Sequence, residues 1–286
     1  MRNIEVNRRT ALLGGAGLAA SSLALPARLM AAAASSSGCW ELLFNGVDLD
    51  DWTFFQEGVG EVDKFGAVAI EDGGLRMLGT DYRPKPDAGF GHLATKRSYA
   101  DYHLRLDFRW GSRRFAPRTL AKRNSGLLYH MAPIRNVLYP DCVEFQFEEG
   151  DLGDAIVINA RAVEGPNLGG TPVWPTYPPF IPRTYGPVLE FGGITRQWYR
   201  KVSDFEIRDG WNTIDLIAFD DQAAHLVNGR IVTTLFGLIN KPVEGQAPVP
   251  LKSGRIALEL EGAETEFRNI MIRSLSTDDI TKLKKG

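Results

Sequence analysis

Along residues 102–110 of this 286-residue chain the side chains alternate without a break. Tyr102, Leu104, Leu106, Phe108 and Trp110 fall on one side, and His103, Arg105, Asp107 and Arg109 on the other. Successive side chains of a strand point to opposite faces, so the segment buries its apolar half only as a strand whose sheet has one polar face. The same rhythm returns twice. Val143, Phe145 and Phe147 alternate with Glu144, Gln146 and Glu148, and Ile256, Leu258 and Leu260 alternate with Arg255, Ala257 and Glu259. Turn formers at Asp72-Gly73-Gly74, Asp220-Asp221, Asn228-Gly229 and Glu261-Gly262 punctuate such runs. Beyond the N-terminal leader, a helical period shows only from Asp278 to Lys285. Many short strands with one apolar face each predict an all-β sandwich of two antiparallel sheets packed face to face.

The leader is set aside from the fold. Asn7-Arg8-Arg9-Thr10 precedes an apolar run from Ala11 to Leu25 that is diluted by Gly14, Gly15 and Gly17, and small residues Ala31 to Ala34 follow. Paired arginines before a weakly apolar segment read as twin-arginine export, which predicts a periplasmic or secreted protein; an ordinary secretory signal is the alternative. The run is too short and too glycine-rich for a membrane span. Cleavage is expected between Ala31 and Gly38, and Ser36-Ser37-Gly38-Cys39 leaves a lipid anchor on Cys39 as a second outcome. The division is therefore 1–38 signal and spacer, 39–276 sandwich, and 277–286 a short polar tail. A formal net charge of −2 gives no electrostatic footprint for nucleic acid or an anionic membrane. Cys39 and Cys142 make neither a disulfide framework nor a zinc-ligand spacing, though a single bridge between them stays open.

Three segments carry a resemblance. Leu42-Leu43-Phe44-Asn45-Gly46 runs on to Asp51-Trp52; Asn124-Ser125-Gly126 precedes Glu144-Phe145-Gln146; and Gly254-Arg255-Ile256 leads to Glu266-Phe267-Arg268-Asn269-Ile270. In this order and spacing they resemble the 3-keto-disaccharide hydrolase family, over roughly Glu41 to Leu275. The resemblance implies a concanavalin-like jelly roll with a concave sugar cleft. It also implies hydrolysis or β-elimination of the glycosidic bond of a 3-keto-glycoside, through abstraction of the C2 proton that the C3 carbonyl acidifies. A sugar-3-dehydrogenase would be the functional partner that supplies the oxidised sugar.

Such chemistry needs a base at C2, an electrophile near the C3 oxygen and an acid for the leaving group. Glu144 and Gln146 point the same way from one strand, away from the core. Glu144 is the expected base, with Gln146 and Asn124 as hydrogen-bonding positioners. Lys96, in the family-like stretch Gly91 to Lys96, is expected to meet the enolate charge; its other reading is a surface lysine at a strand end. His225 lies where the family often has histidine and is expected as acid or ligand, with His130 behind it. His92 is assigned to the rim and His103 to an exposed, inert face. The proline-rich loop from Gly165 to Phe191 offers Trp174 and Tyr177 as stacking surfaces, and the basic segment from Gly111 to Arg123 is a second candidate rim. Glu259 stands where relatives tend to have glutamine and is assigned to substrate. No cofactor is firmly implied. A divalent metal on His225, Glu144 and Glu259 remains open, although no ligand motif supports it.

Two other functions compete. Glu144 and Glu149 have the spacing of the Glu-x-Asp-x-x-Glu pair in retaining jelly-roll β-glucanases, but Gln146 replaces the central acid and disfavours that chemistry. A non-catalytic sugar-binding sandwich is the other, because fold alone does not fix function.

Overall fold

A computed structural model describes residues 38–285. The leader, with the expected export signal and its cleavage site, lies outside the described residues. Two large antiparallel sheets face each other, as the alternation predicts. In order across the first sheet lie Arg161–Glu164, Arg230–Ile239, Gln222–Val227, Asn212–Phe219, Tyr102–Arg114, Ala263–Ser274, Gly74–Met77 and Val68–Glu71. Across the second lie Leu189–Phe191, Ile194–Tyr199, Ala155–Ile158, Cys142–Glu148, Asn124–Met131, Ser253–Leu260, Gly91–Thr95 and Trp52–Gln56. This is a concanavalin-like jelly roll.

The core between the sheets holds the residues that the period of two assigned to it. Leu104, Leu106, Phe108, Phe145, Phe147, Leu258 and Leu260 are all sealed from solvent there. The hairpins turn where glycine, asparagine and aspartate permit a left-handed backbone: Asp72 and Gly73 have φ of 50° and 74°, and Asn228 and Gly229 of 50° and 76°. Consecutive positive φ is what a twist-matched two-residue hairpin requires. The C-terminal tail is a helix, Thr277–Lys285, opened by Ser276, whose Oγ accepts from the Asp279 N–H at 3.1 Å. Among the described residues no helix is long and apolar enough to cross a membrane.

Two loop assignments change. The Tyr102–Arg114 strand runs four residues past Trp110, so Gly111 to Arg114 belong to the sheet rather than to a loop. The segment from Gly165 onward is not loop throughout, since Asn167–Leu168 pairs with Thr171–Pro172 and Leu189–Phe191 forms an edge strand.

Candidate active site on the outer face of the second sheet

Residues opposite in parity to Phe145 and Leu258 point away from the core, and strand register lines them into rows. One row runs from Gln146 to Gly126, its partner on the neighbouring strand. Further along the same face Glu259 pairs with His92, and His92 with Phe55. Glu144 stands one position along, between Ile156 and Leu128. Beside it a small apolar cluster of Ala94, Leu128, Met131, Cys142, Ile156, Ile158 and Ala257 excludes water, with Tyr139 packed on it.

Three carboxylates meet in this setting. Oxygen atoms of Glu144, Glu259 and Glu261 lie within 4.8 Å of one another. The residues are 5%, 1% and 6% exposed. Burial pushes the Glu144 carboxyl well above its usual range, and the charge of Glu261 pushes it further. Burial does the same to Glu259, helped by Glu144. Glu261 is also raised by burial, in part offset by the Tyr139 hydroxyl, which donates to it at 2.6 Å. Its other oxygen accepts from the Asn124 amide. Like charges this close in a dry site cannot all ionise unaided. The flanking guanidinium groups of Arg118 and Arg196 relieve part of the repulsion.

The site is also short of donors. Glu259 Oε2, Gln146 Oε1 and Asn124 Oδ1 are buried without a hydrogen-bond partner. Buried acceptors are nearly always satisfied, so this convergence marks a place built for something that donates or carries positive charge. Hydroxyl groups of a sugar fit it. So does a divalent cation, since an all-oxygen donor set suits a hard metal ion.

Residues 39–273 match the 3-keto-alpha-glucoside-1,2-lyase-like domain. The chain belongs to that family. Family membership makes it a carbohydrate-active domain. No curated protein matches it. Among solved structures, it is similar to a glycosyl hydrolase candidate from Parabacteroides distasonis, at 18% identity over 83% of this chain and 94% of the other, with a TM-score of 0.48. It is similar also to the Bacillus licheniformis β-glucanase, at 12% identity over 85% and 100%, TM-score 0.45. A third is the carbohydrate-binding module CBM66 from Bacillus subtilis, at 11% identity over 78% and 96%, TM-score 0.44. At such identities no functional residue carries over from them.

The structure brings Glu144, Gln146, Asn124 and Glu259 together on the outer face of the second sheet. It places the other candidates elsewhere. His225 shares its strand's inner face with Ala223 and Val227, so it lies in the core, stacked on Phe145 at 4.1 Å. Its ring nitrogens reach the Tyr129 hydroxyl at 3.0 Å and the Gly153 carbonyl at 3.2 Å. It therefore lies on the opposite face from the carboxylates, and the group that joins Glu144 and Glu259 is Glu261 instead. His130 is buried edge-on against Tyr129 and Tyr102 at 5.3 and 5.9 Å, with a positive φ of 49° that turns it out of the strand's alternation. Trp174 and Tyr177 pack on Phe219 and Phe236 of the first sheet, so these two rings lie away from the carboxylates. Lys96 is exposed and donates to the Asp50 carbonyl. His103 is tied to Asp215 at 2.6 Å.

Glu149 does not join the carboxylates. It lies past the end of its strand, where Arg123 holds it at 3.0 Å, so the β-glucanase pairing is not formed. Sequence reasoning missed Glu261, Tyr139 and the role of Gly126. Glu261 extends the outward series Ala257, Glu259, Glu261 and was legible as such; Tyr139 arrives from a loop that no periodicity places.

Proposed function

We propose that the chain cleaves 3-keto-glycosides by elimination across C1 and C2, followed by addition of water at C1. The observation that carries this reading is the buried cluster of Glu144, Glu259 and Glu261 with unsatisfied acceptors around it. Elimination moves a proton from C2 to a base while the C1–O bond breaks and the departing oxygen collects a proton. Glu144 is the base: it accepts no side-chain hydrogen bond among the described residues, whereas Asn124 and Tyr139 pin Glu261. A carboxylate stripped of water is a stronger base than one in solution. Glu259, next toward His92, protonates the leaving oxygen in this reading. Gln146 Oε1 and Asn124 Oδ1 accept from sugar hydroxyls and fix the ring against Glu144. A divalent cation on the same three carboxylates would take the place of the Glu259 proton and polarise the C3 carbonyl, and water would then protonate the leaving oxygen. The family's description as 1,2-lyase-like supports the same bond change.

The test is a substrate panel. Purified protein should turn over 3-keto-trehalose and leave trehalose and a β-glucan intact. Cleavage of the unoxidised substrates at a comparable rate would refute the reading.

A further inference from the structure

A cavity of about 690 Å³ opens on the same face, two strands beyond Glu259, where Phe55 and His92 form its floor. Phe55 and His92 lie ring against ring at 5.7 Å, and His92 is the cross-strand partner of Glu259. The cavity and the carboxylates therefore lie along one face of the sheet, with His92 between Glu259 and Phe55.

The walls are apolar and unpartnered. Val62 from one loop is 60% exposed and Ile134 from another 47%, with Pro133 beside it. Arg135 and Glu61 clasp these two loops through a paired contact of 2.6 and 3.0 Å. Every charged side chain on the walls is already engaged. Arg135 holds Glu61, and Asp63 accepts three backbone N–H groups between 2.9 and 3.1 Å. Arg255 donates to the Thr53 hydroxyl and the Thr95 carbonyl, and Lys96 to the Asp50 carbonyl. A second sugar ring would need several convergent hydrogen-bond partners buried and free to receive it, and these mostly apolar walls do not supply them. The one buried polar atom left over is His92 Nδ1, suited to a single hydroxyl.

We propose that this cavity is the leaving-group site and that it takes a flat, uncharged aromatic alcohol, so that the preferred substrates are aryl 3-keto-glycosides. This rests on the elimination reading above for its substrate, but not for the binding of the free alcohol.

Both can be tested on the full chain. Free 4-nitrophenol, at an acidic pH where it keeps its proton, is titrated into the Glu144→Gln protein while the Val62 and Ile134 methyl signals are followed by NMR. Saturable shifts at these methyls are expected, absent with methanol or glucose and lost in a Val62→Asp variant that keeps the wild-type far-UV spectrum. Val62→Asp should then lower kcat/KM for a 4-nitrophenyl 3-keto-glucoside by about tenfold or more beyond any loss with the methyl 3-keto-glucoside, a comparison in which the difference in leaving-group acidity cancels. Unmoved methyl signals, equal shifts with glucose, or equal losses of kcat/KM for the two glycosides would overturn the proposal. If no 3-keto-glycoside is turned over while the 4-nitrophenol shifts persist, the reaction fails and the aromatic site stands.

Discussion

Gly126 and Glu259 occupy the same space: a Cβ built on Gly126 would lie 2.0 Å from Glu259 Oε2 and 3.2 Å from Glu144 Cγ. The glycine serves here by having no side chain, which lets carboxylates from the strands on either side of it approach. Gly126→Ala should therefore displace Glu259 and destabilise the fold by about 1–3 kcal/mol. In a double-mutant cycle, Glu259→Ala should recover much of that loss, because the methyl then meets space. Additive losses measured by urea unfolding would show that the two residues do not compete.

Glu144→Gln keeps shape and removes the base. Turnover of a 3-keto-glycoside should fall by about 10²–10⁴-fold, with KM little changed and the far-UV spectrum intact. Near-wild-type kcat would move the base to another residue.

The carboxylate cluster makes a signed prediction for pH. Native Glu144 and Glu259 hold their protons above the unfolded value of roughly 4.3. Below that pH both states are protonated and the contribution is fully present. As pH rises, the unfolded chain releases protons that the native chain keeps, so stability falls by roughly 1.4 kcal/mol per pH unit for each such group until the native group also ionises. Glu259→Gln should consequently raise Tm at pH 8 and change it little at pH 4. A Tm gain that is the same at both values would mean that charge is not the cause.

Neutralisation by a cation has a similar signature. Millimolar calcium or manganese at pH 8 should raise the wild-type Tm, through preferential binding to the native state, and raise that of Glu259→Gln much less. An unchanged wild-type Tm would leave protons, not metal, as the balancing charge.

Phe145 is fully buried against Phe147 and His225, so Phe145→Ala should cost about 3–5 kcal/mol in chemical unfolding. Burial holds His225 at about 4, below its usual value. Its contribution is present above about pH 6.5 and is lost as pH falls through the native value, because the unfolded imidazole charges first. Acid unfolding should shift to lower pH when His225 is replaced by Asn.

Much of the fold was legible because burial imposes a period of two, and Phe145 and Leu258 obey it strictly. The same rule placed Glu144 and Gln146 outside the core. It also puts His225 inside, because the residue shares its parity with Ala223 and Val227, and family position points the other way. The partners that complete the site come from farther away. Tyr139 and Arg118 reach it from loops, and Arg196 from the Ile194–Tyr199 strand far down the chain, as contacts set by tertiary packing rather than local pattern. Trp174 and Tyr177 misled because aromatic composition says what a loop can stack against, but not which sheet it lies over.

Since the row from Gln146 to Phe55 crosses five hydrogen-bonded strands, the face acts as a ruler graduated by the backbone. Each strand adds roughly 4.8 Å, so the four steps give a ligand about 19 Å of track. That length is quantised by strand count and is insensitive to loop sequence. Lengthening the acceptable ligand would require another strand beside Trp52–Gln56, whereas loop changes would alter only what grips it along the way.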